Sequence, residues 1–253
     1  MVHHYIKTAI RNLLKSKLAS LISIAGLAVA LAGVFLVYAY VRWEMSYNHH
    51  FNGIENVYRV LRSTDSDAGR AYEVRTSGPL APALVESYPE VEATVRLMRR
   101  KTYTGNGEEG EIARFCVADE NVFTFFDLEP SGKDLLAEPG RVLISTSLAA
   151  KLYGGADPVG QLIQLEDQFR GDYEVAGTFS DFPRNTTVRF DVLTIRSSIG
   201  QNHYAWQDWT ERGWMQIETF IRLRPDADVV SFASRIQDLL DLHLPNVAVH
   251  TKY

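Results

Sequence analysis

The side chains of this 253-residue sequence that could ligate a metal or carry a proton are seven histidines, one cysteine and 31 acidic residues. Their spacing argues against both chemistries. His3-His4 and His49-His50 lie on opposite sides of a long apolar run, so the two pairs cannot share an ion. Adjacent histidines also project in different directions from a regular element. His203, His243 and His250 are scattered. Cys116 is alone, which excludes an intramolecular disulfide, a four-cysteine zinc site and Cys-x-x-Cys redox chemistry. It lies in an apolar alternating stretch and reads as a small core residue, not a nucleophile. Glu108, Glu109 and Glu111 flank a turn and read as a solvated loop. No G-x-x-x-x-G-K-[ST], G-x-G-x-x-G, G-x-S-x-G or H-E-x-x-H occurs. The expectation is a non-enzyme with no catalytic, metal or cofactor site, unable to bind ATP through a phosphate loop of its own. Asn185-Thr186-Thr187 fits a glycosylation pattern, which carries meaning only on a eukaryotic secretory route. Trp206, Trp209 and Trp214 place three indoles within nine residues. They read either as a core beneath a loop, the favoured reading, or as an exposed contact surface.

The element that organises everything else is apolar. Leu18 to Val41 is 24 residues without a charge. As a helix it would be about 36 Å long, against a hydrocarbon core of about 30 Å. Tyr38, Tyr40 and Trp43 gather at one end, as interfacial aromatics do, and Lys7, Arg11, Lys15 and Lys17 lie beyond the other. The positive-inside rule then puts residues 1–17 in the cytoplasm and the rest of the chain outside. The rival is a cleaved signal peptide, with Ala28-Val29-Ala30 or Ala30-Leu31-Ala32 as the cleavage motif. The apolar run continues nine residues past Ala32, longer than a signal core requires, so an uncleaved transmembrane helix over 18–41 is preferred.

Ala19, Ser23, Gly26, Ala30 and Gly33 recur at an average of 3.5 residues on one face of that helix. Small faces let membrane helices approach closely, so the stripe reads as a packing face for partner helices, with compositional chance as the alternative. Upstream, Ile6, Ile10, Leu13 and Leu14 fall at helical spacing, with Lys7, Arg11 and Lys15 beside them. That pattern is either a basic amphipathic helix at the inner leaflet or a plain topogenic flank, and the first is favoured.

The charge is divided. The first acidic residue is Glu44, and five basic residues precede it, leaving 21 basic against all 31 acidic residues in the remainder. Such an acidic body is a poor nucleic-acid scaffold. Residues 44–253 mix strands and helices without regular alternation, which predicts an α+β fold. Strands are expected at Asn56–Arg62, Val91–Met98, Lys101–Thr104, Glu111–Val117, Arg141–Ser145, Gln161–Glu166, Tyr173–Phe179, Val188–Ile195 and Gln216–Arg224. Helices are expected at Ser77–Tyr88, Glu120–Phe126, from a Thr146 or Ser147 cap to Tyr153, and after Asp226 or Asp228 with Val229, Phe232, Ile236, Leu239 and Leu240 on one face. The first two strands and the helix between them look like a βαβ unit. Gly105-Asn106-Gly107 marks a hairpin.

The opening YIKTAIRNLLKSKLASLISIAGLAVALA resembles the start of permease subunits of MacB/FtsX-class ABC transporters. So do NVYRV, GPLAPAL, PEVEATVRL, VADENVFTFFDL, RVLISTSLAAKLYGGADPVGQ and YEVAGTFSDFPRNTTVRFDVL, in that order and across nearly the whole chain. The resemblance implies a bacterial inner-membrane protein with a cytoplasmic N-terminus and a MacB-like periplasmic core domain at 44–253. It further implies a porter-like α+β part at 44–100 and 214–253, with a β-rich, sabre-like insertion at 101–213. The family carries three more membrane helices after this domain, so the chain resembles a permease truncated before them. Implied partners are the membrane, an ABC ATPase subunit and a second permease copy or related subunit. The implied function is non-catalytic: ATP hydrolysis by the partner is coupled to extracytoplasmic movement, for export or envelope mechanotransmission. A single-pass anchored binding or sensor protein is the alternative.

Overall fold

The structure, a computed structural model, describes residues 5, 11, 15–66, 69–166, 169–199, 206, 207, 209, 217–243 and 248–252. The chain divides into two compact units, Met1–Asn48 and His49–Tyr253. The first is dominated by one 28-residue helix, α1 (Lys17–Glu44), which has no buried residue. Ser46 closes its end by donating its hydroxyl to the Trp43 carbonyl at 2.7 Å. Trp43 and Tyr47 stack edge to face, 6.5 Å apart. Arg11 and Lys15 are helical and exposed, whereas Ile6, Lys7, Ile10, Leu13 and Leu14 lie outside the described residues.

The second unit is α+β. Its strands are β1 (Val57–Ser66), β2 (Gly69–Glu73), β3 (Val91–Gly105), β4 (Gly110–Ala118), β5 (Arg141–Ser145), β6 (Leu162–Leu165), β7 (Gly171–Phe179), β8 (Val192–Ile195), β9 (Glu218–Leu223) and β10 (Ala248–Lys252). Helices α2 (Leu80–Ser87), α3 (Val122–Phe126), α4 (Thr146–Tyr153) and α5 (Val229–His243) lie between them. Two sub-structures share strand β3. The first has the order β10-β1-β9-β3, with every neighbouring pair antiparallel. With α2 after β1 and α5 after β9, this is the split βαββαβ pattern. The expected βαβ unit is therefore corrected in one respect: β1 and β3 are not neighbours, because β9 enters between them from more than a hundred residues downstream. Leu80 and Leu84 of α2 and Phe232 and Ile236 of α5 pack on this sheet with Tyr58, Val60 and Ile221.

The second sub-structure is a ring of six strands, β3-β4-β8-β5-β7-β6, closed where Thr104 and Gly105 of β3 meet Leu165 and Gln164 of β6. Alternation along each strand sends one set of side chains inward: Met98, Phe115, Val117, Val142, Ile144, Ile163, Val175 and Val192 are all buried in one cluster. The opposite set, with Leu97, Cys116, Leu143, Ala176 and Leu193, packs under the aromatic residues Phe125, Phe126, Phe190 and Phe220.

Several local expectations shift. The stretches expected as separate strands at 91–98 and 101–104 are one 15-residue strand. The expected strand from Val188 begins only at Val192. Strands β2 and β10 have no counterpart in the sequence reading. The cap of α4 is Ser145, whose hydroxyl accepts the Leu148 N–H at 3.3 Å, and not Thr146 or Ser147. Three successive hydroxyls could cap; the extended backbone of Ser145, the last residue of β5, decides which does. Asp228 caps α5, accepting the N–H groups of Val230 and Ser231 at 3.1 Å.

Candidate functional site

The small-residue stripe lies on α1. At about 100° per residue, Ala19, Ser23, Gly26, Ala30 and Gly33 fall within an arc of about 80°. All five are exposed, and a β-carbon built on Gly26 or Gly33 meets nothing within 4 Å. The rest of the helix is equally uncovered, with Leu18, Phe35 and Leu36 at 74, 69 and 72% exposure. Helix α1 is long and apolar enough to cross a membrane. Apolar side chains at that exposure require lipid or other helices around them.

In the second unit the charged residues concentrate where β3 passes from the sheet into the ring. Leu97 pairs with Glu218 of β9 on one side and Ala118 of β4 on the other. One residue before it stands Arg96, 7% exposed. Its guanidinium makes a bidentate pair with Asp119, Nε to Oδ2 and Nη2 to Oδ1 both at 2.8 Å. It also donates to the Gly78 carbonyl at 2.8 Å and to the Trp206 carbonyl at 3.4 Å, and lies 4.9 Å from the centre of the Trp206 ring. Asp119 in turn accepts the Arg96 backbone N–H at 2.9 Å. One buried ion pair thus joins the sheet strand, the end of β4, the approach to α2 and the 206 segment. On the other side of Leu97, Arg99 holds Glu218 through both carboxylate oxygens and donates to the Thr187 carbonyl at 2.7 Å, with Arg59 3.8 Å from the same carboxylate.

This placement corrects the contact-surface reading of Trp206. It is 2% exposed and belongs to the ring's interior cluster, where it covers Arg96. Trp209 packs, partly buried, beside the α2–α5 cluster, and Trp214 lies outside the described residues. Arg96 itself carried a signal that the sequence reading did not use: a charged residue with an apolar neighbour on each side, Val95 and Leu97.

A second group of cations lines a concave pocket of about 450 Å³: Arg75, Arg99, Arg100, Lys101, Arg114 and Arg189, with Glu218 the one acid in its wall. Its signal in the sequence is the run Arg99-Arg100-Lys101 in an acidic body. Cys116 is fully buried, and burial pushes its thiol pKa well up, so it is no thiolate nucleophile. Among the described residues no group of three His, Cys, Asp or Glu side chains is placed to hold a metal ion.

Residues 20–239 match the family described as MacB-like periplasmic core domain. Among solved structures, the chain is similar to a domain assigned to a permease protein of Porphyromonas gingivalis, at 20% identity and TM-score 0.66, covering 80% of this chain and 92% of that one. It is similar to the extracellular domain of the noncanonic ABC-type transporter YknZ from Gram-positive bacteria, at 14% identity and TM-score 0.57, covering 78% of this chain and all of that one. It is also similar to the periplasmic region of MacB from Actinobacillus actinomycetemcomitans, at 11% identity and TM-score 0.52, covering 79% and 92%. At these identities the likeness is one of fold. No curated protein matches the sequence.

Proposed function

The chain belongs to the MacB-like periplasmic core domain family, and from that premise we propose that it is the non-catalytic membrane subunit of an ABC transporter. In this reading α1 spans the inner membrane with residues 1–17 in the cytoplasm, and the body stands outside. A cytoplasmic ABC ATPase supplies the motion, and a second permease copy or a related subunit completes the membrane domain. The body transmits that motion for export or to envelope partners. The observation that carries the proposal is the pairing of a bare apolar helix with a body of this family. A helix with no buried side chain needs company in lipid, and the small stripe offers the face for it.

The body suits transmission and not chemistry. We assign the split βαββαβ sheet, 44–100 and 214–253, to the porter-like part and 101–213 to the sabre-like part. What supports the division is the insertion of β4 to β8 between β3 and β9. Strand β3 runs through both parts, and the Arg96–Asp119 pair sits at the passage, so displacement of one part is carried to the other by a stiff, hydrogen-bonded element.

A pair of reporters fused after Tyr253 tests the orientation on which this function depends. Alkaline phosphatase, active only outside the cytoplasm, should be active there. A fluorescent protein that matures only in the cytoplasm should stay dark. A bright fluorescent fusion with inactive phosphatase contradicts the proposal.

A further inference from the structure

The arginine-lined pocket has more positive charge than its own carboxylates can balance. Arg99 is held by Glu218, and Arg114 by Asp191 through two bonds of 3.0 and 2.8 Å. That leaves Arg75, Arg100, Lys101 and Arg189, none of which makes an ion pair among the described residues. The Nε atoms of Arg100 and Arg189 are buried and have no hydrogen-bond partner. Other arginines with a buried, unbonded Nε differ: Arg196, Arg222 and Arg235 each use another guanidinium nitrogen to hold Glu120, the Phe125 carbonyl and Glu90. Among the described residues Arg100 and Arg189 hold no partner through any guanidinium nitrogen. Like charges brought together and half-desolvated repel, and an unpaired buried donor costs free energy. Among the described residues no acidic side chain pairs with either of them.

We infer that this pocket binds a phosphate group carried by a ligand from outside the chain. Guanidinium forks match tetrahedral oxyanions through paired N–H donors, and a surplus of four cations favours a doubly charged phosphate over a single carboxylate. The volume of about 450 Å³ holds a small phosphorylated molecule or a lipid headgroup. This inference is independent of the permease reading, since the pocket lies wholly within the second unit.

The test is calorimetric titration of the full chain in nonionic detergent at fixed ionic strength. One arm uses inorganic pyrophosphate and the other soluble dihexanoyl phosphatidic acid, whose phosphomonoester carries the same double charge. Saturable binding in the pyrophosphate arm alone identifies a soluble phosphate compound, and in the lipid arm a headgroup; either supports the inference. Arg100→Gln/Arg189→Gln should weaken that binding at least about tenfold, the scale of losing charge-assisted hydrogen bonds. Lys133→Gln/Arg224→Gln removes the same charge elsewhere on the surface and should leave it unchanged. Should the Arg100/Arg189 double variant fail to fold, exposed Arg75→Gln decides, with a loss of several-fold expected. Absence of saturable binding in both arms, or equal affinity in the pocket and control variants, overturns the inference. So does unchanged affinity in Arg75→Gln.

Discussion

Helix α1 and the body at His49–Tyr253 are both rich in apolar side chains, and they dispose of them in opposite ways. On α1 none is covered, all the way around the helix. In the body, alternation along the strands sends apolar residues into three clusters, and the charge buried beside them at Arg96 is paired with Asp119. The body covers its apolar residues from within; α1 is covered by none of the described residues. A change should therefore register in different assays in the two regions. In the body it should alter folding stability, and on the helix it should alter assembly without touching the body's melting.

The largest effect is expected at the junction on β3. Asp119→Ala strands the Arg96 guanidinium, which is 7% exposed and has only carbonyls and an indole face left around it. Removing one partner of a buried pair costs about 3–5 kcal/mol. Denaturant titration of the purified chain should show that loss for the body. A loss below about 1 kcal/mol, the scale of an exposed pair, would mean the junction is not held by this bond and would weaken its place in transmission.

A smaller effect, with a pH signature, is expected at α4. Asp181 accepts the Ser147 and Thr146 hydroxyls at 2.6 and 3.0 Å and the Ser147 N–H at 3.3 Å. Partial burial opposes its ionisation, but these hydrogen bonds outweigh it and hold its pKa below the usual 3.8. A depressed carboxylate pKa contributes stability that is complete above the unfolded value and is lost as pH falls through the folded one. Asp181→Asn should thus cost about 1 kcal/mol near neutral pH, the scale of a helix cap. The gap from the unsubstituted chain should close as pH drops below 3.8. A gap that stays constant into acid would assign the effect to shape rather than charge.

What the sequence made legible was local. The hairpin at Gly105 to Gly110 was readable because Asn106 builds it from its own side chain, accepting the N–H groups of Glu108 and Glu109 at 3.0 and 2.7 Å. Helix α2 was readable because Pro89 ends it, and α1 because charge is missing from a whole span. The pairing order was not readable. Strand β10 is a strand because Ala248–Lys252 finds Arg59–Ser63, almost two hundred residues away, and no neighbouring residue signals it. The same holds for β9 between β1 and β3. Trp206 shows the limit for sites: clustered indoles favour a core but still fit a surface until the partner, Arg96, is known. The arginine pocket needed the fold to gather residues from 75 to 189, although Arg99-Arg100-Lys101 announced its centre.

In the proposed function, α1 recruits other subunits through its small face. Gly26→Leu/Gly33→Leu fills that face while keeping it apolar enough to insert. A β-carbon at either position meets nothing within 4 Å, so the body's melting should not move. The deciding measurement is affinity purification of the tagged chain from its native membrane, with quantification of the ABC-class ATPase that accompanies it. Near-stoichiometric ATPase is expected with the unsubstituted chain and with Leu27→Ile and Val34→Leu, which lie off the stripe, and a loss of at least tenfold with the double glycine variant, about 1.4 kcal/mol at the interface. An ATPase absent from every preparation, or present equally in all, would contradict it and favour a single-pass anchored binding protein.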